Sequence, residues 1–66
     1  MHILLVEDEL DISSNLKIFL ESKDYQITVS NTLKNAQANL KYTDYDLMIL
    51  DITLPDGNGI DFYKQM

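Results

Sequence analysis

Two runs in the chain are apolar without interruption and close on an acid: Ile3-Leu4-Leu5-Val6 before Glu7, and Leu47-Met48-Ile49-Leu50 before Asp51. Each is too short for a helix and fits a strand buried on both faces. Tyr25-Gln26-Ile27-Thr28-Val29 alternates apolar and polar residues, the pattern of a half-buried strand at a sheet edge. From Leu10 to about Lys23, Ile12, Leu16, Phe19 and Leu20 repeat at helical spacing and predict one buried stripe, with Leu10 and Ile18 pointing elsewhere. Asn31 or Thr32 caps a second helix that runs to about Lys41 and gathers Leu33, Ala36 and Leu40 on one side. Pro55-Asp56-Gly57-Asn58-Gly59 is a dense turn signal. A third helix begins at Ile60, with Phe62, Tyr63 and Met66 on one side, and the sequence stops about two turns into it.

Strand, helix, strand, helix, strand, partial helix is the order of an α/β fold with a parallel sheet. Two fully apolar strands and one alternating strand place the second strand outside the first, giving the spatial order 2-1-3. Right-handed crossovers then put the two full helices on opposite faces. Strands 1 and 3 flank the reversal of direction, and the crevice beyond their carboxyl ends is where such sheets bind ligands.

Composition narrows the chemistry. The 66 residues carry a formal charge of −6 and no cysteine, which excludes disulfides and cysteine-based zinc sites. Five scattered lysines and no arginine form no basic stripe, so direct nucleic-acid binding by this chain is not expected. No apolar run approaches the roughly 20 residues that span a bilayer, and Met1-His2 leads straight into a strand, so no signal peptide or membrane role is expected and a cytoplasmic location is. A chain this short removes only about 60% of its unfolded surface from water, which favours help from a partner chain or a metal.

Glu7 and Asp8 follow strand 1 and Asp51 follows strand 3, so neighbouring parallel strands deliver three carboxylates to one rim. Like charges so close raise one another's pKa or recruit a cation, and an all-oxygen set without histidine or thiolate suits Mg²⁺. Glu9 and Asp11 read as capping or surface acids beside the helix dipole. His2 has no second histidine nearby and reads as structural.

With those residues in view, the chain resembles the receiver domain of two-component response regulators. Val6-Glu7-Asp8 ends strand 1, and in Asp51-Ile52-Thr53-Leu54-Pro55-Asp56-Gly57-Asn58-Gly59 an acid is followed by Pro four and Gly eight residues later. Tyr25 opening strand 2 and Tyr45-Asp46-Leu47 opening strand 3 extend the resemblance over the whole chain. It implies a flavodoxin-like parallel sheet. It also implies that Asp51 is the phosphoacceptor, served by a sensor histidine kinase, with Mg²⁺ bound by the side chains of Asp8 and Asp51 and the main-chain carbonyl of Thr53, and assisted by Glu7 through water. A carboxylate suits such a role as a nucleophile toward a phosphoryl group.

The family sheet has five strands in the order 2-1-3-4-5, so residues 1–66 are expected to form a partial receiver domain. The later hydroxyl and lysine that contact the phosphoryl group, the carboxyl-terminal half and any DNA-binding output domain for transcription regulation all lie outside it. Switching through those groups is not expected from this chain alone. Strand 3 would present an apolar edge, which invites self-association, most simply as a symmetric dimer. Asp24 stands where the family frequently carries glycine, so a left-handed residue there is strained. Two other functions fit the acids less well. A haloacid-dehalogenase-like Mg²⁺ phosphatase also uses a strand-end Asp nucleophile but places a second Asp two residues on, where this chain has Thr53. An inert association fragment would use none of the acids.

Overall fold

In the computed structural model, which describes residues 1–51 and 53–64 and only the backbone of Thr53, β1 (His2–Val6) is the centre of the molecule. Ile3, Leu4, Leu5 and Val6 are all essentially inaccessible to water. Burial on both faces needs a neighbour on each edge and a layer on each side. Those neighbours are β2 (Gln26–Ser30) and β3 (Leu47–Leu50), both parallel to β1, in the order β2-β1-β3. The expected fold class and strand order are therefore what the chain adopts.

Alternation along β1 sends Leu4 and Val6 to one face and Ile3 and Leu5 to the other. Leu4 and Val6 pack with Leu33 and Ala36 of α2 (Leu33–Tyr42) and with Leu54, flanked by Leu40, Tyr45, Met48, Leu50 and Phe62. The predicted stripe of the second helix is thus its buried face, and Thr32 is its cap, accepting the Asn35 N–H at 3.1 Å. The opposite face lies beneath α1 (Leu10–Glu21), which packs on β2. Here the sequence expectation needs correction. Ser13 is the buried residue of α1, while Ile12 and Phe19 are 47% and 58% exposed and only Leu16 and Leu20 are partly covered. α1 thus buries the small Ser13 against the sheet, and the ends of the apolar stripe face outward.

β2 begins one residue later than the alternating run suggests and ends in Ser30, a fully buried hydroxyl that accepts from Asn39 Nδ2 at 2.7 Å. β3 is less buried than a doubly covered strand, with Leu47 47% exposed, because β1 is its one pairing neighbour among the described residues. The turn signal after Asp51 contains a small antiparallel hairpin, β4 (Thr53–Leu54) and β5 (Gly57–Asn58). It leads into α3 (Gly59–Lys64), which Asn58 caps by accepting the Ile60 N–H at 2.8 Å. Phe62 of α3 joins the core and Tyr63 is exposed; the expectation for Met66 lies outside the described residues.

Long-range polar contacts tie the elements together at both ends of the sheet. At the amino end of β1, His2 Nε2 hydrogen-bonds Thr28 Oγ1 at 2.9 Å and the ring packs on Tyr45 at 4.5 Å, the structural role expected of it. At the other end, Asp56 in the hairpin turn accepts the Leu33 and Lys34 N–H groups at 2.8 and 2.9 Å. The Leu33 N–H first, then that of Lys34, holds the Asp56 carboxyl below the usual carboxylate range.

Between α1 and β2 the chain turns through Asp24, whose φ of 68° is left-handed and unfavourable for a side chain. Asp24→Gly relieves that strain at the cost of a looser unfolded chain. The expected net gain is about 1 kcal/mol, read as a higher urea midpoint at unchanged slope. Leu4→Ala, which opens a cavity in the core, is expected to cost about 2–5 kcal/mol in the same assay.

Candidate metal centre

The parallel register pairs Val6 with Leu50, so the residues that follow, Glu7 and Asp51, leave the sheet side by side. Main-chain bonds continue past the strand ends and fix both. The Asp51 N–H donates to the Val6 carbonyl at 3.0 Å, and the Glu7 N–H donates to the Ser30 carbonyl at 2.9 Å. Asp8 follows Glu7 in the short link before α1. One carboxylate oxygen from each of Glu7, Asp8 and Asp51 lies within 4.8 Å of the others. The three acids picked out from the sequence are therefore brought together at the rim, with Glu7 and Asp51 partly buried and Asp8 exposed.

Three anions this close leave an electrostatic mark on Glu7. Partial burial pushes its carboxyl above the ordinary carboxylate range, and the Asp51 and Asp8 carboxylates beside it push the same way. The Glu9 N–H, donating to Glu7 Oε2 at 3.3 Å, pulls in the opposite direction. The donor set is hard, anionic and all oxygen, with an open side at Asp8. It fits a small divalent cation that keeps part of its water shell, the coordination habit of Mg²⁺.

The loop after Asp51 is built to stay close. A Cβ on Gly59 would overlap the Asp51 carbonyl oxygen and stand 3.2 Å from Leu50 Cγ, so only glycine lets α3 start where it does. Thr53 begins β4 two residues beyond Asp51, and its main chain is in a strand. Glu9 sits at the amino cap position of α1 without a side-chain cap bond, and Asp11 lies in the first turn. Ser30 and Asp56, which fasten Glu7 and the hairpin, were not among the residues the sequence singled out. Ser30 holds Glu7 through its main-chain carbonyl, which no residue type signals, and nothing local marks Asp56.

A parallel α/β unit of order 2-1-3 with an acidic rim at the reversal is the flavodoxin-like arrangement of a signalling receiver. The sequence profile described as response regulator receiver domain matches residues 3–66, and the chain belongs to that family. It is 38% identical over 65 residues to the response regulator SaeR of Staphylococcus aureus, covering 98% of this chain and 28% of SaeR. A two-component response regulator from Clostridium difficile superposes with a TM-score of 0.96 at 32% identity, over 98% of this chain and 54% of that one. TrrA of Thermotoga maritima, solved in complex with Mg²⁺-BeF, gives 0.91 at 33% identity, over 97% and 56%. The chain thus spans about half of these receiver structures and under a third of the curated relative. Among the described residues, no helix is long and apolar enough to cross a membrane.

The raised Glu7 carboxyl has a definite sign in the metal-free chain. Its folded form holds the proton more tightly than the unfolded chain, so the associated stability is present at low pH and is lost as pH rises through the raised value. Glu7→Gln is expected to raise the urea midpoint of the metal-free chain at neutral pH and to flatten its decline as pH rises above the ordinary glutamate range.

Proposed function

We propose that this chain supplies the phosphoacceptor and metal-binding part of a response-regulator receiver, with Asp51 as the acceptor and a sensor histidine kinase as the donor. The observation that carries this reading is the convergence of Glu7, Asp8 and Asp51 within 4.8 Å at the ends of adjacent parallel strands, in a chain of the receiver family. In this reading a carboxylate oxygen of Asp51 attacks phosphorus while the bond from phosphorus to the donor's imidazole nitrogen breaks. The product is an acyl phosphate on Asp51 and a neutral histidine on the kinase. Asp8 and Asp51 by side chain, Thr53 by its main-chain carbonyl and Glu7 through water are the groups we assign to Mg²⁺. When bound, the cation offsets the charge that attacking and transferred oxygens share.

The protein's own contribution is placement. Main-chain bonds to Val6 and Ser30 hold the two strand-end acids before any ligand arrives, so little ordering is left to do in the transfer step. Thr53, where a haloacid-dehalogenase-like phosphatase would carry its second Asp, and the family match both favour phosphoacceptance over phosphatase chemistry. We place the chain in the cytoplasm, where a kinase would meet it, and assign DNA contact to other parts of a full regulator. Exposed Ile12, Phe19 and Leu47 also support self-association of this chain; sedimentation is expected to show a dimer at high micromolar concentration, and a monomer there would oppose that assignment.

The chemical test is transfer of label from a small acyl-phosphate donor. Wild-type chain with Mg²⁺ is expected to take up acid-stable, hydroxylamine-labile label, and Asp51→Asn or chelation to abolish it. Turnover of phosphomonoesters would point instead to the phosphatase, and absence of labelling with Mg²⁺ present to an inert association fragment.

A further inference from the structure

We propose that Asp56 is a positioning residue for Asp51: by gripping the first turn of α2, its carboxylate fixes the hairpin that frames the acceptor. The proposal deepens the function above and rests on that reading only for its metal arm. Asp56 lies in the turn between β4 and β5, and its two carboxylate oxygens take the N–H groups of Leu33 and Lys34, 23 and 22 residues away in sequence. Such a contact joins two elements and does more than cap a helix. The capping of α2 by its own flanking residue is already provided by Thr32, which takes the next donor, Asn35 N–H.

The hairpin is attached to Asp51 on both sides. β4 begins two residues after Asp51, and β5 runs into Gly59, whose backbone touches the Asp51 carbonyl so closely that a Cβ has no room. Any shift of the hairpin therefore displaces the Asp51 main chain, and with it the carboxylate that must meet Glu7 and Asp8. Leu54 secures the hairpin to the core from below. Beside the turn, by contrast, the space between α2 and α3 is an open groove lined by Leu33, Gln37, Asp61 and Phe62. On that side the polar tether is the pair of Asp56 bonds, next to the close approach of Gly57 to Leu33.

Two variants that each remove bonds at the same end of α2 separate positioning from capping. Asp56→Ala frees the hairpin, and Thr32→Ala weakens α2 without touching the hairpin. In the metal-free chain, amide exchange of Asp51, whose N–H is bonded to Val6, is compared with that of Leu4 in the sheet centre. Asp56→Ala is expected to accelerate Asp51 selectively, and Thr32→Ala to move both amides together or neither. Calorimetric titration with Mg²⁺ is expected to show affinity falling about 10-fold in Asp56→Ala and holding in Thr32→Ala. If Asp56→Ala does not fold, Asp56→Asn, which keeps one acceptor oxygen, is expected to show the same selective acceleration to a smaller degree. Equal acceleration of both amides in the Asp56 variant, or unchanged exchange and affinity, overturns the proposal. No Mg²⁺ uptake by the wild-type chain overturns the metal reading alone, because the exchange comparison still decides whether Asp56 holds Asp51.

Discussion

Everything at the acidic rim depends on the parallel pairing of β1 with β3. Val6 opposite Leu50 is the register that makes Glu7 and Asp51 neighbours. A slip of one residue would take Met48 and Leu50 off the core face they share with Leu4 and Val6 and separate the acids. What prevents the slip is burial: four consecutive residues of β1 are sealed on both faces, by α2 and its core partners on one side and by α1 on the other. The hydrophobic effect thereby holds together three like charges that Coulomb repulsion would separate. Burial first, and the neighbouring acids second, raise the Glu7 carboxyl.

That tension is consistent with a site kept for chemistry. In the absence of a cation, the three carboxylates oppose one another and gain nothing for the fold. A divalent ion would convert the same arrangement into a stabilising one, since any ligand that binds the folded chain alone shifts the folding equilibrium toward it. The rigid parts lie beneath the site, in main-chain bonds to Val6 and Ser30. Its adjustable wall is the hairpin after Asp51, tied to α2 by the two Asp56 hydrogen bonds and by the packing of Leu54 on the core. Rigid placement below and a tethered loop above hold the partly buried Asp51 carboxylate beside Glu7 and Asp8.

Much of this was legible in the sequence because the relevant physics is local. Two four-residue apolar runs, each ending in an acid, are enough to imply neighbouring parallel strands and a shared rim, although only β1 is sealed on both faces. Leu33, Ala36 and Leu40 at helical spacing name the buried face of α2. The misses have tertiary causes. Spacing identified Ile12 and Phe19 as one stripe with Leu16 and Leu20, but the residue α1 buries is Ser13, which a count of apolar positions does not weigh. Pro55 to Gly59 read as a turn, and two strands of two residues each leave no periodic trace. Asp56 finds its partners more than twenty residues away, so nothing in its neighbourhood distinguishes it from a solvated loop acid.

Family membership and geometry point the same way, yet they bear on different claims: the first concerns ancestry, the second what these particular side chains can hold. The claim most exposed to test is that the three acids act as a single cation site. Titration with Mn²⁺, followed by paramagnetic broadening of amide resonances, addresses it residue by residue. Broadening at substoichiometric Mn²⁺ that centres on Glu7, Asp8 and Asp51, and is reversed by excess Mg²⁺, is the expected result. Broadening spread evenly over Asp11, Asp24, Asp44 and Asp61 as well would contradict it, leaving an acidic surface in place of a site.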